Sequence, residues 1–290
     1  MISIIICSTN IDRYDKLKNN VQQTIGIEHE IIRINNNQNI YGICEAYNIG
    51  ASKARYELLC FIHEDVSFLN TDWGKILLYY FQNKEVGLLG IAGSQYKTKT
   101  VGGWWNSGPL VKIKMRQGSK NSNAFQDINK EASGCESCVC IDGIFMATPQ
   151  KVWKETLFDN KTLKKFHCYD LDYSLSVFGK GYKVLVCYDI FLEHFSTGEY
   201  NRVWYDETLK FHRKWQSKLP ISIDNISRKE KIEVEWNTKK NMLGFLVSND
   251  YPLSELLKNI FSKMYSFSLK KCIICIIEIY KLKKQYSRSN

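Results

Sequence analysis

Phe61-Ile62-His63-Glu64-Asp65-Val66 is an apolar strand that runs straight into charge. Its apolar part begins at Leu58, and an unbroken run of this kind suits a strand covered on both faces, as in a parallel sheet. Carboxylates at the carboxyl end of such a strand stand where open α/β sheets bind ligands. Oxygen donors there suit Mg2+ or Mn2+ coordinating a diphosphate. A merely solvated strand end is the other reading that these six residues allow.

Outward from this strand, strand and helix patterns alternate. Residues 2–7 form a second continuous β-branched run, ended by Ser8-Thr9-Asn10, and Tyr14, Leu17 and Val21 follow at helical spacing. Residues 30–34 read as a strand closed by Asn35-Asn36-Asn37, 43–54 as a helix, 73–81 as a helix and 86–91 as a strand. Strands separated by helices of this length predict βαβ units and a mostly parallel sheet flanked by helices. From 93 to 134 the pattern loosens around Gly102-Gly103-Trp104-Trp105, which predicts either a long functional loop or a small hairpin insertion. Beyond it, 139–147 predicts one strand, Pro149 the start of a short helix, 170–179 a helix, 183–187 and 190–194 strands, and 200–215 a helix. After Leu219-Pro220 the sequence becomes charged and weakly patterned. The division that follows is a core over 1–220 and an accessory C-terminal helical region over 221–290.

Composition sets the class. With 290 residues, 44% of them hydrophobic, the chain buries a core without disulfides, and 4 prolines exclude a collagen-like or polyproline protein. The formal charge of +10 points first to a polyanion. Residues 270–290 alone hold six basic residues against Glu278, so the excess sits in the tail rather than along a groove, and no nucleic-acid motif accompanies it. Ten cysteines without the basic n-region and cleavage site of a secretory signal predict a reducing, cytoplasmic setting. Cys135 and Cys138 have zinc-like spacing but lack a second pair. Isoleucines 273, 274, 276 and 277, bracketed by Lys270, Lys271, Lys281, Lys283 and Lys284, suit an interfacial helix over 269–284 on an anionic membrane. Packing of those isoleucines on the core suits the pattern equally.

Two further motifs bear acid or imidazole. Tyr169-Asp170-Leu171-Asp172-Tyr173 opens a helix and places two carboxylates at its N-terminus, where the dipole favours the ionised form and an aspartate can serve as general base. A plain N-cap explains the same residues. Leu192-Glu193-His194-Phe195 ends a strand with the one imidazole available to a site built from the two acidic motifs.

Taken in order, these segments resemble the inverting nucleotide-diphospho-sugar glycosyltransferases of the GT-A fold, family 2 type. The resemblance covers roughly residues 2–215. It rests on the opening Ser3 to Asn10, on Glu45-Ala46-Tyr47-Asn48-Ile49-Gly50, on Ala54 to Phe61, and on His63-Glu64-Asp65 at the DxD-type position. Ile141-Asp142-Gly143 and Tyr169 to Leu175, at the family's E-D-x-D-L pattern, complete it, with Gly179 to Val184 behind. The His63 to Val66 spelling, Gly90 to Ser94 and Trp104-Trp105 look most like a glycosyltransferase-like subgroup of bacterial surface-glycan genes.

The resemblance implies a Rossmann-like α/β fold and a role for each matching residue. Thr9, Asn10 and Asn36 would lie at the nucleobase end, with Asn48 supporting the nucleotide pocket and Glu64 beside it. Asp65 would bind a divalent metal, Mn2+ or Mg2+, and His194 would complete the metal or diphosphate contacts. Asp170 falls on the catalytic base. Asp142, Gly143 and Asp172 would face donor sugar or acceptor; Trp104 and Trp105 offer a platform for a sugar face, or else pack against the tail. The implied partners are a nucleotide-sugar donor, UDP-linked, and a glycan or lipid-linked acceptor at the inner face of the cytoplasmic membrane. His63 replaces the motif's first Asp and Tyr169 the Glu before the base, so a non-catalytic nucleotide-sugar or glycan-binding member of the fold is the alternative.

Overall fold

A computed structural model of the protein describes residues 1–119, 122–196, 198, 200–261, 270–277 and 280–281. The strands in chain order are β1 (Ile2–Ser8), β2 (His29–Asn35), β3 (Leu58–Ile62), β4 (Val66–Phe68), β5 (Val86–Gly90), β6 (Ala92–Ser94), β7 (Tyr96–Lys97), β8 (Val111–Ile113), β9 (Met115–Ser119), β10 (Ser122–Ile128), β11 (Cys135–Cys138), β12 (Cys140–Ile141), β13 (Phe145–Pro149), β14 (Lys183–Cys187), β15 (Leu192–His194) and β16 (Ile221–Ser222). The helices are α1 (Ile11–Thr24), α2 (Ile43–Ser52), α3 (Trp73–Tyr80), α4 (Gln150–Thr156), α5 (Tyr169–Gly179), α6 (Arg202–Trp215), α7 (Arg228–Ser248) and α8 (Leu253–Ile260), with a short 3-10 segment at Trp104–Leu110.

The continuous apolar runs become the middle of one sheet. Its order is β11-β14-β5-β13-β3-β1-β2, with β1, β2, β3, β5 and β14 parallel and β13 and β11 antiparallel to them. All five residues of β3 are buried between β1 and β13, so His63, Glu64 and Asp65 emerge at the carboxyl end of a central strand. β4 then leaves the sheet to pair with β15, carrying His194 back beside the acidic segment. α1 starts where β1 ends because Asn10 caps it, its side chain accepting from the Arg13 N–H.

The run over 139–147 is two strands, not one. β12 pairs with β6 in a separate three-stranded sheet and β13 enters the main sheet, so the chain must turn between them. It does so at Asp142-Gly143-Ile144, where the Ile144 N–H bonds Asp142 Oδ1 at 2.9 Å. Of the two readings of 93–134, the hairpin insertion is the one found. It supplies β6 to β10, which build small sheets above the carboxyl ends of the main one.

Beyond residue 220 the described chain adds β16, which pairs with β7, and then helices that brace this insertion. α7 is held at its start by a capping box of Ser227 and Glu230. Its Glu235 is fully buried and accepts hydrogen bonds from the Tyr96 hydroxyl at 2.9 Å, Lys99 N–H at 2.7 Å and Thr100 N–H at 2.8 Å. Nearby, the buried Lys97 ammonium donates to Gly102 O at 3.0 Å and lies 3.1 Å from His212 Nε2. Met242, Leu243, Leu246, Leu256 and Ile260 share an apolar cluster with Val101, Trp204 and Tyr205. In the helical residues 270–277, Cys272 and Cys275 face that cluster while Ile273, Ile274, Ile276 and Ile277 are exposed. Of the interfacial helix expected over 269–284, residues 269, 278–279 and 282–284, Lys283 and Lys284 among them, lie outside the described residues. Among those described, no helix is long and apolar enough to cross a membrane.

Candidate active site

Two chain segments, 63–65 and 194–196, meet where β3 ends. Ligand atoms of His63, Asp65 and His194 lie within 4.8 Å of one another, and His194 Nε2 stands 3.7 Å from Asp65 Oδ1. Burial opposes ionisation of Asp65, yet the His63 and His194 imidazoles and the Ser196 hydroxyl outweigh it and hold its pKa below the ordinary carboxylate value. Two imidazoles and one carboxylate form a donor set that suits Mn2+ and later divalent ions better than Mg2+, which prefers oxygen. Asp65 and His194, the two residues expected at a metal, thus stand together, and His63 joins them as a third candidate ligand.

Glu64 turns the other way. One of its carboxylate oxygens accepts from the Thr9 hydroxyl at 2.8 Å, the other from the N–H groups of Thr9 and Asn10 at 3.1 and 3.2 Å. It ties the loop after β1 to the end of β3, bringing together three of the residues assigned to the nucleotide. Two others serve the scaffold. Asn36 is fully buried, and its amide pairs with the backbone of Tyr41 in both directions. Asn48 is spent on Phe158 and on the Trp153 indole N–H. Both amides are thus engaged within the protein, Asn36 by backbone and Asn48 by backbone and the Trp153 indole.

A cavity of about 290 Å3 opens beside the metal-type cluster, lined by His63, His194, Asp142, Gly143, Asp170 and Tyr169 together with Trp104, Trp105, Phe166 and Tyr200. Asp170 sits in the first turn of α5, with Oδ2 accepting from the Gly143 N–H at 3.1 Å. Its pKa is pushed up to about 7, first by burial and then by the charge of Asp142; the N–H groups of Leu171 and Gly143 oppose the rise. Asp142 is itself oriented by the Trp104 indole N–H at 2.9 Å. A carboxyl poised near neutrality in a cavity is what proton abstraction requires. Asp172, one helical position pair on, points elsewhere. It is buried against the Lys214 ammonium at 2.8 Å and the Trp215 indole N–H at 2.7 Å, so its expected contact with sugar is replaced by a tie to α6.

The residues that depart from the family pattern are bonded to each other. His63 Nε2 and the Tyr169 hydroxyl are 2.5 Å apart. A histidine that ligates a cation through Nδ1 keeps its Nε2–H for such an acceptor, which fixes ring and tautomer. Gly143 allows this arrangement, since a Cβ there would lie 1.9 Å from the Tyr169 hydroxyl oxygen. Sequence reasoning missed His63 as a candidate ligand and Tyr200 as a cavity residue; the His-x-Asp spacing at a strand end was the available signal for the first.

The sequence matches the model of a glycosyltransferase-like family over residues 3–219. The chain belongs to that family. Family membership places it among the transferases, and the GT-A α/β architecture expected from the sequence is the one found. Among solved structures, residues 1–349 of TarS from S. aureus, in complex with UDP, align with a TM-score of 0.53 at 10% identity, over 100% of this chain and 92% of that one. GalNAc-T7 with UDP, GalNAc and Mn2+ aligns with a TM-score of 0.47 at 13% identity, over 87% of this chain, which spans 58% of the length of that one. No curated protein matches. TarS is a likeness of fold. What this glycosyltransferase-family chain does rests on its own cavity.

Proposed function

We propose that the protein transfers a sugar, with inversion, from a nucleotide-diphosphate donor, UDP-linked, to a hydroxyl of a glycan or lipid-linked acceptor in cell-surface polysaccharide synthesis. The observation that carries this reading is a single cavity lined both by His63 and His194 of the metal-type cluster and by Asp170, a carboxyl with a pKa near 7.

His63, Asp65 and His194 would hold the divalent cation, which supplies charge to neutralise the departing diphosphate. Thr9 and Asn10, pinned by Glu64, stand at the end of β1, where open α/β sheets seat nucleotides. Asp170 takes the proton as the acceptor oxygen bonds to the anomeric carbon and the bond from that carbon to the diphosphate oxygen breaks. The Gly143 N–H aims the carboxylate, and Asp142 raises its affinity for the proton it must accept. Against the non-catalytic alternative stands the pairing of His63 with Tyr169, which keeps three ligand groups despite both departures.

A panel of nucleotide sugars with Mn2+, comparing the wild type with Asp65→Ala and Asp170→Asn, tests the assignment. Loss of turnover in both variants supports it. Turnover that persists in both sinks the site, and absence of metal-dependent nucleotide binding sinks the family mechanism.

The exposed isoleucines of the tail support peripheral contact with an anionic membrane at its cytoplasmic face, with Lys270 and Lys281 beside them. Partition onto vesicles containing phosphatidylglycerol should fall when residues 269–290 are removed; unchanged partition removes the idea.

A further inference from the structure

The two tryptophans of Gly102-Gly103-Trp104-Trp105 have separate duties. Trp104 is buried and spends its indole N–H on Asp142. Trp105 is 36% exposed and lines the cavity. Its ring is folded back over Gly103, where an added Cβ would lie 2.2 Å from it, and is backed by Trp204 at 5.8 Å between centroids. Tyr200, 48% exposed, stands 4.8 Å from Trp105 with the two rings inclined at 53°. Trp204 also meets Tyr200 edge-on at 5.4 Å, so the exposed pair rests on a buried third ring.

The position of this pair relative to the chemistry is informative. Tyr200 lines the same cavity as Asp142 and Asp170, near enough that their charges, after burial, raise its phenol to about 12. An attacking hydroxyl must approach its base from the side away from the leaving diphosphate, and the ligand cluster at His63, Asp65 and His194 marks the diphosphate side. We propose that Trp105 and Tyr200 form the acceptor subsite and that they recognise the acceptor through a pyranose ring. This rests on the glycosyltransferase reading above and names what that enzyme accepts.

The chemistry favours a sugar over other occupants. A pyranose presents axial C–H groups on one face and hydroxyls around its rim, which matches aromatic faces beside Asp142 and Asp170. A flat heteroaromatic ring would want two parallel walls, and rings at 53° do not make a slot. An acyl chain would want an unbroken apolar channel, whereas two carboxylates line this one. The rings are already locked by Gly103 and Trp204, so binding costs little side-chain order.

Saturation-transfer NMR on the full chain with a panel of methyl hexopyranosides and their N-acetylamino counterparts tests the subsite. UDP with Mn2+ is titrated calorimetrically into the same samples. The expected result is saturation on the ring C–H protons of at least one pyranoside, at least tenfold weaker in Trp105→Ala and Tyr200→Ala, whose melting curves and UDP binding verify folding. Because Tyr200 is half exposed, its variant keeps the test decisive if Trp105→Ala fails to fold. No saturation of any pyranoside by the wild type, or signals that survive both substitutions, overturns the subsite. UDP binding without pyranoside binding refutes the subsite alone. Pyranoside binding through Trp105 and Tyr200 without UDP binding refutes the donor reading and leaves a sugar-binding site.

Discussion

The Tyr169 hydroxyl lies 2.5 Å from Nε2 of His63, joining positions separated by 106 residues of chain. Each occupies a place where the family pattern has a carboxylate, and each supplies the other's hydrogen-bond partner. The pair connects the metal-type cluster to the helix that carries Asp170.

Removing only that hydroxyl isolates its role. Tyr169→Phe keeps the ring against Tyr47 and Phe158 but leaves His63 without its partner. Mn2+ affinity, followed by calorimetry, should fall by about 10- to 100-fold, the usual cost of losing a hydrogen bond behind a ligand. Stability should fall by only about 1 kcal/mol. Unchanged metal affinity would show that the bond is merely a packing detail.

Gly143→Ala attacks the same pair from the backbone. The new methyl group would meet the Tyr169 hydroxyl, and the Asp170 carboxylate would lose its aim at the 143 N–H. Overpacking of this kind costs about 1–3 kcal/mol. Turnover should drop further than the thermal shift explains; a variant that is destabilised yet turns over normally per folded molecule contradicts this.

The pH profile follows from Asp170. A base with its pKa raised to about 7 is protonated, and idle, below neutrality, so the rate should climb through pH 7. Asp170→Asn should lower the rate by about 100- to 10,000-fold. The stability sign is opposite. A carboxyl whose folded pKa exceeds its unfolded one stabilises the fold when protonated, and that stability is lost between about pH 4 and 7. Asp170→Asn should therefore raise the melting temperature at pH 8 relative to the wild type, and raise it less at pH 4. A wild-type rate flat from pH 5 to 8 would remove Asp170 as the base.

Metal exchange reads the donor set. After chelation, Mn2+ should restore UDP binding at lower concentration than Mg2+, because two of three ligands are imidazoles. Asp65→Ala should respond to neither. Equal potency of the two ions would argue that His63 and His194 are not ligands.

Much of this was legible in the sequence where local pattern and burial coincide. Residues 58–62 are apolar throughout because β3 is covered on both faces, and the acids after them mark the functional end of the sheet. The turn at Asp142 was hidden because both flanking pieces are apolar; only their pairing with different sheets reveals the break. Asn36, Asn48 and Asp172 were placed by their position in a motif, yet position does not say whether a side chain's hydrogen bonds are already taken. His63 read as a defect for the converse reason. Its complement lies in another motif, and neither is intelligible without the other.

The family match ends at residue 219, whereas Glu235 on α7 holds the backbone of Lys99 and Thr100, just ahead of Trp104 and Trp105. A chain cut after Pro220 would keep every residue assigned here to chemistry and lose the clamp on the loop that orients Asp142 and presents Trp105. The inheritable unit and the working unit thus differ in length. Grafting the first 219 residues onto another C-terminal region would carry over His63, Asp65, His194 and Asp170 and leave the loop of Trp104 and Trp105 to be held by whatever helix replaced α7.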